Sequence, residues 1–135
     1  MIQGQLSNRI IGAFYAVYHQ LEYGFLEKVY ENALVRELRK KGMKATQQKR
    51  IDVYYDGQRV GEYFADIVVE DSVVLELKAA EGIAPEHEAQ LINYLKASNI
   101  ELGLLFNFGV QPQFIRRVFT NGRKSLTTND AKDAN

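Results

Sequence analysis

Two short segments carry carboxylates in a pattern suited to phosphoryl chemistry. Asp66 lies in Tyr63-Phe-Ala-Asp-Ile-Val-Val69, and Glu76 and Lys78 lie in Val74-Leu-Glu-Leu-Lys-Ala79. Strand side chains alternate, so Glu76 and Lys78 share one face, and Val73, Leu75, Leu77 and Ala79 share the other. A turn is predicted at Asp71-Ser72, and Asp66 and Glu76 are each five residues from Asp71. A simple hairpin therefore sets them opposite each other on one face. Two adjacent carboxylates in a half-buried strand repel and lose hydration. A divalent cation removes both costs. Mg²⁺ takes oxygen ligands and keeps several waters, so two carboxylates and a carbonyl suffice from the protein. Such an ion lowers the pKa of a bound water and stabilises charge on a phosphate, as phosphodiester hydrolysis requires. Lys78 is placed to orient that water or to offset charge in the transition state. A bare Glu-x-Lys is more often a structural ion pair on a wet face. The opposed Asp66 gives it chemical meaning.

Two helical segments supply further candidates. Gln90 and Tyr94 are four apart and share a helix face, with His87 on the same side. That face borders the Leu91–Leu95 stripe, so these side chains reach a phosphate or base at the sheet's rim, or form an ordinary helix border. Glu27 sits at the edge of an apolar stripe that includes Leu34 and Leu38. It either reaches past the core towards the metal or remains a solvated glutamate.

The elements that must position these residues are legible from periodicity. Ser7 and Asn8 are predicted caps of a first helix with Ile10, Ile11, Phe14, Val17 and Tyr18 at helical spacing. A second helix is predicted over residues 25–41, with Phe25, Leu26, Val29, Tyr30, Ala33, Leu34 and Leu38 as a broad apolar stripe. Gly42 ends it after a basic last turn. Strands follow at 50–55, 60–70 and 73–79, the first two joined at Asp56-Gly57, a strong hairpin signal. Pro85 opens a third helix running to about residue 98. Residues 102–108 form a buried strand, entered after a helix and so expected to lie parallel to the third strand. Residues 113–119 form a short element of unsettled type. Residues 121–135 are a polar tail, expected to be disordered. The order predicts a single domain over residues 1–120, an α/β or α+β sandwich around a mixed sheet of four to five strands.

Composition narrows the chemistry. The 135 residues carry 46% hydrophobic and 25% charged side chains, enough apolar content to fill one core. There is no cysteine, which excludes disulfides, thiolate zinc sites and a cysteine nucleophile. The two histidines, His19 and His87, exclude a histidine-rich metal site. No Gly-rich phosphate loop and no Gly-x-Ser-x-Gly is present. No apolar run is long enough for a membrane span and the N-terminus lacks signal-peptide features, so a soluble, cytoplasmic protein is expected. Net charge is zero but unevenly spread: seven basic and one acidic residue between Arg36 and Arg50, eight acidic and one basic between Glu62 and Glu88. That separation can place an acidic pocket inside basic flanks, or reflect solvated faces. Most aromatic side chains are expected in the core.

The segment Gly24-Phe-Leu-Glu27-Lys-Val-Tyr30 resembles the signature of the GxxExxY proteins, small members of the PD-(D/E)XK nuclease superfamily. The resemblance covers residues 7–119. Asp66 with Glu76-x-Lys78 is similar to the superfamily core motif, and Gln90-x-x-x-Tyr94 resembles the helix motif of RecB-like nucleases. Residues Glu22-Tyr23-Gly24 depart from the Gly-Pro-Gly common in the family, and Tyr18 stands where histidine is common. The resemblance implies a restriction-endonuclease-like core that cleaves nucleic acid, DNA above all, with Mg²⁺ or Mn²⁺. On that reading Asp66 and Glu76 bind the metal with Glu27 and the carbonyl of Leu77. Lys78 acts on the attacking water, and Gln90, Tyr94 and Tyr30 position substrate. So small a nuclease is expected to need a homodimer or a protein partner to hold a duplex. Two other readings fit the same residues: a non-catalytic module that keeps the nuclease fold, and a metal-dependent hydrolase of a small phosphorylated substrate.

Overall fold

The computed structural model describes residues 3–124. Two helices, α1 (Gln3–Leu21) and α2 (Glu27–Lys40), precede three strands, β1 (Ala45–Tyr55), β2 (Gln58–Val69) and β3 (Val73–Lys78). Helix α3 (Pro85–Ala97) then leads to β4 (Leu102–Phe108) and β5 (Pro112–Val118), with a short 3₁₀ turn at Asn121–Arg123. The strands form one sheet in chain order, all neighbours antiparallel except β3 and β4, which run parallel. The fold is a mixed five-stranded sheet between helix layers.

The turn chemistry accounts for most of the register. Asp56 and Gly57 both adopt the left-handed backbone (φ 54° and 78°) and pair Tyr55 with Gln58, as a two-residue hairpin demands. The next connection is residues 70–72, with Glu70 and Asp71 at φ 53° and 52°, and it pairs Val69 with Val73. Gly42, at φ 87°, follows the end of α2.

Each sheet face has its own core. Helices α1 and α2 cover Ile67, Val69, Leu75, Leu77, Leu104 and Phe106, with Ala79 packed at the margin. Helix α3 covers the other face, setting Leu91, Tyr94 and Leu95 on Ala65, Val68, Val74 and Leu105. Gly103 permits that close approach, since a Cβ there would stand 2.5 Å from the Leu91 Cδ1.

Several expectations change. Helix α1 begins at Gln3, so Ser7 and Asn8 lie inside it instead of capping it, and Ser7 faces inward. The strand expected at residue 50 begins at Ala45, because pairing with β2 carries the polar run 46–50 into the sheet. The unsettled element near residue 113 is β5. The apolar stripe of α2 is narrower than its spacing suggests, since Phe25, Leu26 and Val29 are exposed. Fewer aromatic rings reach the core than expected, with Tyr23, Phe25, Tyr55, Phe64 and Phe114 all exposed. The expected disorder of the tail concerns residues 125–135, which lie outside the described residues. Among the described residues no helix is long and apolar enough to cross a membrane.

Candidate active site

Strands β2 and β3 pair only at Ile67–Leu75, Val68–Val74 and Val69–Val73. Beyond Leu75 the ladder ends, and the next opposed residues are Asp66 and Glu76. Their carboxylates replace the missing sheet bonds reciprocally. The Asp66 N–H donates to Glu76 Oε2 at 3.2 Å, and the Leu77 N–H donates to Asp66 Oδ2 at 2.8 Å. Each carboxylate thus holds the backbone of the opposite strand at a fork in the sheet.

Burial makes this arrangement costly for two negative charges. Glu76 is only 2% exposed. Burial first, and the Asp66 charge second, push its pKa up to about 9. Asp66 is raised too, by burial and by the Glu31 charge, against the Leu77 N–H that favours the ionised form. Lys78, half-buried at the end of β3, lowers both. Tyr94 lies near enough to Glu76 to feel it: burial, then the Glu76 charge, raises its hydroxyl to about 12.

Sequence reasoning missed a second acidic group. Glu31, buried in α2, accepts from Lys28 Nζ at 3.0 Å, Gln47 Nε2 at 2.8 Å and Gln48 Nε2 at 3.1 Å. Gln48 also donates to Asp66 Oδ1 at 3.3 Å, so it links the two carboxylates. It does so from a left-handed backbone (φ 51°) inside β1, a conformation that costs a non-glycine residue about 1–3 kcal/mol. The available signal was helical spacing: Glu31 stands three residues before Leu34 and seven before Leu38, inside the apolar stripe and not at its edge. Asn107, beside Lys78 in the β3–β4 register, was also missed. Fully buried, it accepts from the Ala80 N–H at 2.9 Å and donates to the Ala80 carbonyl at 3.0 Å, fixing the chain just beyond Lys78.

The other expected site residues are placed differently from one another. Gln90 donates through Nε2 to the Phe64 carbonyl at 2.7 Å, tying α3 to β2 two residues before Asp66. Tyr94 is 1% exposed and packs in the α3-side core, out of reach of a substrate in solution. Glu27, the first residue of α2, is exposed and is not brought to the carboxylate pair. Tyr30 is buried against Phe108 (ring centroids 4.3 Å apart), and its hydroxyl donates to the Glu22 carbonyl and accepts from the Phe25 N–H. It holds the α1–α2 connection and does not face the carboxylates. His87 accepts the Ala84 N–H at 2.9 Å as a helix cap.

Among the described residues no three His, Cys, Asp or Glu side chains converge on one metal position. The centre is a carboxylate pair. Two carboxylates, Glu76 buried and Asp66 partly buried, both with their pKa values raised, fit a hard divalent ion that keeps several of its waters. They do not fit a soft metal that prefers thiolate or imidazole.

The result is a mixed sheet with helices on both faces, forked around Asp66 and Glu76-x-Lys78. The sequence pattern of the PD-(D/E)XK nuclease superfamily matches residues 4–118, and the chain belongs to that superfamily. Nucleases of this superfamily generally use divalent metal ions. Among solved structures, SSO0001 is similar over 70% of this chain and 50% of its own, with 16% identity and a TM-score of 0.58, a likeness of fold. The chain spans half the length of that protein. An alkaline exonuclease (LHK-Exo) from Laribacter hongkongensis aligns over 99% of this chain and 75% of its own, with 14% identity and a TM-score of 0.49. No curated protein matches the chain.

Proposed function

We propose that this chain hydrolyses phosphodiester bonds of nucleic acid, DNA in particular, with Mg²⁺ or Mn²⁺ held by Asp66, Glu76 and the carbonyl of Leu77. The observation that carries the reading is the reciprocal Asp66–Glu76 pair at the sheet fork. A pair in which Glu76 is buried, Asp66 partly so, and both pKa values are raised is unstable as two bare charges, and a bound divalent cation would relieve that instability. When bound, the ion supplies a water of lowered pKa and a counter-charge for phosphate oxygens.

The chain's own residues do the rest. Asp66 and Glu76 hold the cation, and in its absence the pair keeps a proton centred on Glu76. The Lys78 ammonium meets the attacking water or a non-bridging phosphate oxygen, where negative charge grows in the transition state. Gln48 and Glu31 orient Asp66. Gln90 fixes β2 beside it, and the Tyr94 ring excludes water beneath Glu76.

Cleavage of single-stranded, duplex and branched DNA and of RNA, each with Mg²⁺, Mn²⁺ or EDTA, tests the proposal. Wild type should cut at least one of these with metal and none in EDTA, and Glu76→Gln should be at least a hundredfold slower, on the order of the loss of an electrostatic catalytic group. A wild type that binds the metal and cuts none of them would refute it.

A further inference from the structure

The sheet has two open edges, β1 and β5, and they are built differently. The β1 edge carries the devices that block further pairing. Gln48 takes a left-handed backbone (φ 51°), the register with β2 shifts between Val53 and Tyr54, and Lys49 and Arg50 are exposed side by side. Strand β5 has no such break. It pairs with β4 continuously from Pro112 to Val118, and among the described residues no strand lies beyond it. Its seven residues present an open backbone edge beside two exposed apolar side chains, Phe114 (39%) and Val118 (58%). An unblocked edge of this kind is a template for another strand.

Local chemistry indicates which groups point outward. Pro112 has no N–H to give to β4, and the Arg116 carbonyl is reached by Arg117 Nη1 at 2.9 Å. Polar groups alternate along a strand, so those of residues 112, 114, 116 and 118 face the open edge. Two copies of β5 can then pair antiparallel about Ile115. Phe114 of each copy exchanges backbone bonds with Arg116 of the other, and Ile115 stands opposite itself. Arg116 lies opposite Phe114 and Arg117 opposite Gln113, so no two arginines are opposed. Centring the pair on Arg116 would oppose two guanidinium groups. Centring it on Phe114 would set Arg116 against Pro112, which has no N–H to give. The strand is complementary to itself in one register.

We propose that the chain forms a twofold dimer by antiparallel pairing of β5 about Ile115, which joins two five-stranded sheets into one. Glu76, Leu105 and Ile115 form a single row across β3, β4 and β5. Leu105 and Ile115 both pack on the α3 side. The twofold axis continues that row through Ile115 into the second copy. It sets the two Glu76 residues in line on the same side of the sheet, five strand spacings or about 24 Å apart.

Cysteine cross-linking tests the register cleanly, because the chain has no cysteine of its own. Residues opposed in a non-hydrogen-bonded pair have Cα atoms about 4.5 Å apart, within the span of about 4.4–6.8 Å that a disulfide bridges. Oxidised glutathione should link Ile115→Cys into a covalent dimer. Phe114→Cys and Arg116→Cys, about 7–8 Å from their own copies, should stay unlinked over the same time. Sedimentation equilibrium of the unaltered chain should show dimer by about 100 μM, since so short an interface belongs with weak associations. Phe114→Glu would attract the opposed Arg116 and Phe114→Lys would repel it, twice per dimer. The lysine variant should dissociate about 2- to 30-fold more readily than the glutamate variant. Melting curves of all variants check that each is folded.

A monomer at every concentration would overturn the inference. So would a disulfide at 114 or 116 with none at 115, or a dimer weakened equally by lysine and glutamate at 114. None of these measurements requires cleavage, so the dimer and the nuclease reading stand or fall separately.

Discussion

Replacing Glu76 by glutamine should stabilise the metal-free protein. The native state holds the Glu76 proton up to about pH 9, whereas an unfolded glutamate releases it near 4.5. Between those values the native state binds more protons than the unfolded chain, so stability falls as pH rises. This contribution is intact below about pH 4.5 and is lost progressively towards about pH 9. At pH 7.5 the group stands about three pH units above its unfolded value, and each unit is worth about 1.36 kcal/mol, which sets a ceiling near 4 kcal/mol. Relaxation around the ionised pair reduces that, to about 1–4 kcal/mol. Glutamine keeps an oxygen to accept the Asp66 N–H and carries no charge. In EDTA at pH 7.5, Glu76→Gln should therefore melt several degrees higher than wild type, at roughly 3–5 °C per kcal/mol for a chain of this size. At pH 4.5 the two should melt together. The comparison between variant and wild type cancels the other groups that titrate in this range. A difference that does not change with pH, or a glutamine variant less stable than wild type at pH 7.5, would refute the reasoning.

Metal binding should release about one proton at pH 7.5 and tighten as pH rises towards 9, because the ion requires ionised Glu76; titration calorimetry in buffers of different ionisation enthalpy reads both. Lys78→Ala should lower single-turnover cleavage by about a hundred- to a thousandfold with the melting curve little changed, and wild-type rates in this variant would assign the activity elsewhere. Asn107→Ala should cost at least about 2 kcal/mol in urea unfolding, since it strands both polar groups of Ala80, and a neutral result would discount the clamp beside Lys78. Gly109→Ala should also destabilise, by about 1–3 kcal/mol, because its Cβ would run into the Ala80 carbonyl.

The opposition of Asp66 and Glu76 was legible because a short turn fixes hairpin register, and counting from Asp71 needs no tertiary knowledge. Alternation likewise separated Glu76 and Lys78 from the buried Leu75 and Leu77. Glu31 was not legible in the same way. Its partners Gln47 and Gln48 come from the polar start of β1, where Thr46-Gln-Gln-Lys-Arg50 shows no apolar alternation, and the left-handed turn at Gln48 leaves no mark on composition. Glu27 and Glu31 stand one helical turn apart, and only packing decides which of them is buried. The same holds for Phe25, Leu26 and Val29: periodicity placed them on a stripe, but the helix starts at Glu27 and the core ends near Tyr30. Asn107 read as one polar residue in an apolar strand, and its role depends on a loop that follows a different strand.

The carboxylate pair as a metal centre is tested most directly by Mn²⁺ anomalous scattering from crystals of wild type and of Glu76→Gln. Wild type should show a peak bounded by Asp66, Glu76 and the Leu77 carbonyl, and Glu76→Gln should show it lost or much weakened. A wild-type peak elsewhere, or one unaffected by the substitution, would contradict the account.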